Sequence, residues 1–80
     1  MDWREAATKE QRAFFGGAFG SIMSRDRCKR GELARALGVS VSTLWRWEEA
    51  EAAPELEFWL RLRALISGRA VVSRGRFVEL

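Results

Sequence analysis

The 80-residue sequence has no histidine and no tyrosine, a single cysteine and a single proline. Without histidine it lacks the side chain that most often serves as a general base at neutral pH. One cysteine, Cys28, cannot close an internal disulfide, and with no histidine to join it a Cys/His zinc site is excluded. Cys28 therefore reads as a small buried apolar residue. No nucleophile–base pair or metal-ligand constellation stands out, so no catalysis, metal, cofactor or small-molecule ligand is expected. No apolar run approaches the roughly 20 residues that a membrane-spanning helix needs. The start, Met1-Asp2-Trp3-Arg4-Glu5, has neither the basic nor the apolar part of a signal peptide, so a cytoplasmic location is expected. Repeats, low-complexity tracts and linkers are also missing.

What is present is an apolar fraction of 48% and a net charge of +3 that comes in blocks. Residues 25–47 carry Arg25, Arg27, Lys29, Arg30, Arg35 and Arg46 against Asp26 and Glu32. Residues 48–57 carry Glu48, Glu49, Glu51, Glu55 and Glu57 with no basic residue. Residues 58–80 return to basic, with Arg61, Arg63, Arg69, Arg74 and Arg76 against Glu79. A basic block beside an acidic one suits a protein with one face towards phosphate, although a solvated mixed surface has the same composition. The glutamates read as a solvated acidic edge, because Ala52-Ala53-Pro54 interrupts any helix that would bring them together.

Residues 2–26 read as helix, with Asp2/Glu5 and Thr8/Gln11 at the spacing of a capping box. Phe15, Phe19, Ile22 and Met23 form its apolar stripe. Gly16, Gly17 and Gly20 mark either a break or a close helix crossing. A second helix is expected over 30–37, with Leu33, Ala34 and Leu37 inward and Gly38 as its stop. Ser40 suits the N-cap of a third helix over 41–50, in which Leu44 and Trp47 share a face. Pro54 is placed in the first turn of a fourth helix. There Leu56, Trp59, Leu60, Arg63 and Ile66 form a stripe that Phe58, Leu62 and Leu65 widen. After Gly68, two short β-like runs flank Arg74-Gly75, the pattern of a hairpin.

The most informative stretch runs Arg30-Gly-Glu-Leu-Ala-Arg-Ala-Leu-Gly38-Val-Ser-Val-Ser-Thr-Leu-Trp-Arg-Trp47. It describes two short helices joined by a tight turn. Ala34 is small where the second helix crosses, Gly38 suits the turn, and Val39, Leu44 and Trp47 plug the space between. In these positions, and in the passage from Trp47-Glu48 through Pro54, Leu56, Leu60 and Leu62, the sequence resembles the Xre family of lambda-repressor-like helix-turn-helix proteins over about residues 19–67. Two features depart from that pattern. Lys29 stands where a Ser or Thr cap is common, and the segment after Gly68 does not read as a fifth helix.

The resemblance implies an all-α fold of four to five short helices, with a DNA-binding domain over 1–68 and a double-stranded DNA partner; the C-terminal tail over 69–80, a candidate β-hairpin, stands outside the family's pattern. One small motif makes few base contacts, so a homodimeric repressor on a palindromic operator is expected, with the tail as a candidate dimerisation element. Val41, Ser42, Trp45 and Arg46 would face base edges, with Trp45 lying along a strand or at a partner surface. Lys29, Arg30, Arg35, Ser40 and Thr43 would meet phosphate or cap the helix, with Arg25 and Arg27 flanking them. Phe77 and Val78 are the expected dimer contacts. Two alternatives remain open: an excisionase-like or MerR-like winged DNA binder, and a protein-interaction module such as an antitoxin, whose tail adds a strand to its partner.

Overall fold

A computed structural model describes the backbone of residues 3–80 and the side chains of residues 9–80. Four helices, α1 (Trp3–Asp26), α2 (Arg30–Leu37), α3 (Val41–Glu48) and α4 (Leu56–Ser67), are followed by strands β1 (Ala70–Ser73) and β2 (Arg76–Glu79). The strands form an antiparallel hairpin, with Val72 opposite Phe77 and Ser73 opposite Arg76. The architecture is thus mostly helical, four helices followed by the hairpin that the tail's pattern suggests. No described helix is long and apolar enough to cross a membrane.

α1 is one uninterrupted helix. A Cβ placed on Gly16, Gly17 or Gly20 would meet nothing within 4 Å, so these glycines serve neither a break nor a close crossing. Thr8 lies inside α1 rather than at a helix start, while Asp2 is outside the described residues. The stripe of α1 holds: Phe15, Phe19 and Ile22 are buried and Met23 packs beside them. Leu33, Ala34, Ala36 and Leu37 of α2, Leu44 and Trp47 of α3, and Leu62 and Leu65 of α4 complete the helical part of the core. Ala70 and Val72 of β1 belong to the same core, so the hairpin is packed into the body of the molecule.

All four helices end on a residue in the left-handed region, only two of which are glycines. Gly38 (φ 81°) and Gly68 (φ 80°) close α2 and α4, while Arg27 (φ 52°) and Ala50 (φ 59°) follow α1 and α3. In each case the next amide reaches back to a carbonyl five residues earlier: Cys28 to Met23, Val39 to Ala34, Glu51 to Arg46 and Arg69 to Ala64. Ala50 has no sequence signature of a stop, which explains why the pattern extends α3 to residue 50 when the helix ends at Glu48. Pro54 precedes Glu55, the N-cap of α4, and so lies outside the first turn.

α4 differs from expectation in its facing. Leu56, Leu60 and Ile66 are exposed, while Leu62 and Leu65 are fully buried and Phe58 and Trp59 partly so. The helix is apolar on nearly every side, so its period admits two phases. The face that includes Leu62 and Leu65 is the one that packs on the rest of the molecule.

An ion pair holds α1, α4 and β1 together. Arg25 donates from Nε to Asp26 Oδ1 at 2.7 Å and from Nη2 to Asp26 Oδ2 at 2.8 Å. Its remaining donors reach the carbonyls of Leu65 at 2.6 Å and Ala70 at 3.3 Å. Asp26 Oδ2 also accepts from the amide of Val72 at 2.9 Å. The Asp26 side chain is only 5% exposed. The hydrogen bonds from Arg25, with help from the Val72 amide, hold its carboxyl below the usual range against the opposing effect of burial. A depressed folded-state pKa contributes stability that is complete above the unfolded value, about pH 4, and is lost as pH falls through the folded value. Asp26→Asn should therefore cost about 2 kcal/mol at pH 7 by urea unfolding. The stability of the wild type should fall more steeply with acid than that of the variant. Parallel acid limbs would show that Asp26 does not carry this dependence.

Candidate functional site

The α2–α3 corner places the residues that the sequence singles out. The Gly38 amide bonds to the Arg35 carbonyl at 3.1 Å and the Val39 amide to the Ala34 carbonyl at 2.9 Å, which turns the chain sharply. A Cβ on Gly38 would come within 3.3 Å of Arg61 Nη1, which itself donates to the Leu37 carbonyl. Ser40 then caps α3: its Oγ accepts from the Thr43 amide at 3.2 Å and lies 3.1 Å from Thr43 Oγ1. Both hydroxyls are thus engaged in starting the helix. Lys29 occupies the N-cap of α2 and has no acceptor in its side chain; the box is half-made, by Glu32 accepting from the Lys29 amide at 3.3 Å.

α3 has two unlike sides. Leu44 (0% exposed) and Trp47 (3%) are sealed against the core, Trp47 within 6.0 Å of the Phe58 ring. Val41 (39%) and Trp45 (51%), one turn apart, lie outside together with Ser42 and Arg46, also one turn apart. These four side chains make a two-row exposed face about 9 Å long. Arg46 has no carboxylate partner among the described residues. The C-terminal end of α3 is held from α1: Gln11 Nε2 donates to the carbonyls of Trp47 at 3.2 Å and Ala52 at 2.9 Å, and Arg12 reaches the Glu49 carbonyl at 3.4 Å.

The basic residues divide by partner. Arg30 pairs with Glu48 at 2.5 Å and lies over the Trp45 ring at 5.3 Å, so it ties the start of α2 to the last turn of α3. Arg25 is committed to the ion pair with Asp26 rather than to a flank facing solvent. Arg27, Lys29 and Arg35 are exposed and have no carboxylate partner among the described residues. Cys28 is partly buried against the core, and burial pushes its thiol pKa up, so the group stays protonated. Phe77 and Val78 do not share a face: Phe77 packs on the core beneath Arg61, while Val78 is 38% exposed. Only Val78 of the two is open to a partner.

No protein-family model matches this chain, and no curated protein or solved structure is significantly similar to it. The functional argument therefore rests on the geometry alone.

Sequence spacing identifies the exposed face because a helix with two buried anchors has only one free side. It misses the long-range contacts of Gln11 and Arg25 and the Arg30–Glu48 pair, whose partners lie 18 to 45 residues away and leave no local signal. The two neighbouring tryptophans should respond oppositely to truncation. Trp47→Ala should cost about 3–5 kcal/mol of stability in urea. Trp45→Ala, at a half-exposed site, should cost less than about 1 kcal/mol. Equal losses would mean that α3 is rotated from the orientation described here.

Proposed function

We propose that this chain reads double-stranded DNA, with α3 lying in the major groove. The observation that carries the proposal is the exposed row of Val41, Ser42, Trp45 and Arg46 on a helix anchored by Leu44 and Trp47. A helix about 10–12 Å across with one free side suits a groove about 12 Å wide. Arg46 is the main specificity residue, since guanidinium can bond guanine O6 and N7 together. Val41 packs on a thymine methyl, and Ser42 bonds a base edge. Trp45, stacked beneath Arg30, lies against the groove wall. Lys29 and Arg35 meet phosphate, and Ser40 and Thr43 present the start of α3. Arg30 is already neutralised by Glu48, so its contribution to phosphate binding is smaller than a free arginine would make. The acidic edge from Glu48 to Glu57 repels phosphate and so sets which way the domain docks.

The reading is of a binding protein rather than a catalyst, acting in the cytoplasm as a homodimeric repressor that occludes its operator. Pairing doubles the few base contacts one α3 can make, on half-sites about 34 Å apart. Exposed Leu60, Val78 and Leu80 offer apolar surface for that pairing. The exposed face of α4, Leu56 and Leu60, favours a second reading as a protein-interaction module; such a module would retard no duplex.

Selection of bound fragments from random duplexes, followed by gel retardation, tests the proposal. Arg46→Ala should lose about 10- to 100-fold on the selected site and little on random DNA. Equal losses on both would remove Arg46 from base reading.

A further inference from the structure

We infer that the hairpin turn Arg74-Gly75-Arg76 is a second phosphate-binding element, which grips a DNA backbone beside the one met by α2. The inference rests on the DNA-binding reading above. The turn is fixed at two points. The amide of Val72, two residues before Arg74, is held by Asp26 Oδ2 at 2.9 Å. A Cβ on Gly75 would come within 3.1 Å of Arg35 Cδ, so the glycine lies directly against the Arg35 stem. The tip of the hairpin therefore rests on α2, and the strand leading to it is tied to the last residue of α1. Arg27, Arg35, Arg74 and Arg76 are all exposed there.

None of these four arginines has a carboxylate partner among the described residues. Of the carboxylates nearest to them in the chain, Asp26 is occupied by Arg25 and the Val72 amide, Glu32 accepts from the Lys29 amide, and Glu79 stands opposite Ala70 at the open end of the hairpin. The contact of Gly75 with the Arg35 stem brings Arg35 beside Arg74 and Arg76, like charges repel one another, and a polyanion relieves that repulsion. The turn itself supports the same conclusion. Arg74 and Gly75 both have positive φ, 52° and 73°. Such two-residue turns favour Asn or Asp before the glycine. An arginine in that position adopts an unfavourable backbone conformation, and no hydrogen bond or ion pair of its side chain within the described residues compensates.

The test is the salt dependence of DNA retardation for the wild type and the Arg74→Gln/Arg76→Gln double variant. Each lost phosphate contact lowers the slope of log affinity against log salt by about 0.9. The double variant should lose about 1.8 per bound protomer, so its affinity drop between 50 and 200 mM salt should be roughly 12-fold smaller. Its preference for selected over random DNA should not change, because phosphate contacts carry no sequence information. Arg63→Gln/Arg69→Gln removes the same charge from α4 and from the open end of the hairpin, about 13 Å from the tip along β1, and should keep more of the slope. Circular dichroism should show both variants folded. An unchanged slope, or an equal fall in the two variants, overturns the inference and leaves the role of α3 standing. A wild-type chain that retards no duplex at low salt overturns both.

Discussion

The left-handed turn at Gly38 is the constraint on which the arrangement depends. It ends α2, turns the chain within two residues and allows Ser40 to start α3. Any side chain there would be strained at φ 81° and would press on Arg61. With the turn in place, Leu37, Leu44 and Trp47 close around Ala34, and the free side of α3 follows from the burial of the other. Gln11 then fixes the far end of the helix by donating to the Trp47 carbonyl in its last turn and to the Ala52 carbonyl in the loop that follows. A helix of eight residues would be marginal alone. Its rigidity comes from these two ends and the buried face between them.

The arginines show how one residue type serves two purposes in so small a chain. Arg25 uses its donors on Asp26 and on the carbonyls of Leu65 and Ala70, where α4 ends and the hairpin begins. Arg30 spans from α2 to Glu48, and Arg61 covers both the Leu37 carbonyl and the Phe77 ring. These side chains do the bracing that a larger core would otherwise do, in a domain whose size limits burial. Arg27, Arg35, Arg46, Arg74 and Arg76 have no such partner among the described residues. The division cannot be read from charge blocks, which count both kinds alike.

Much of the helical layout is legible from local chemistry. Gly38 and Ser40 mark a stop and a start within three residues, and Leu33, Ala34, Leu37, Leu44 and Trp47 sit at spacings that only one packing satisfies. The hairpin is legible from Arg74-Gly75 between two β-prone runs. The orientation of α4 is not, because apolar residues surround it and only the packing of α1, α2 and β1 selects the face with Leu62 and Leu65. The end of α3 at Glu48 is equally hidden, since Ala50 takes a conformation that its side chain disfavours. Asp26 has no pattern at all: its importance lies in accepting from a strand 46 residues away.

The central claim is that the exposed row of α3 is what meets DNA. An NMR titration of the amide-labelled chain with a selected duplex tests it most directly. The account predicts that the largest shifts fall on residues 40–46, with smaller ones at 27–35, while Leu56 at the start of α4 stays still. Shifts concentrated on α4 with residues 40–46 unmoved would contradict it.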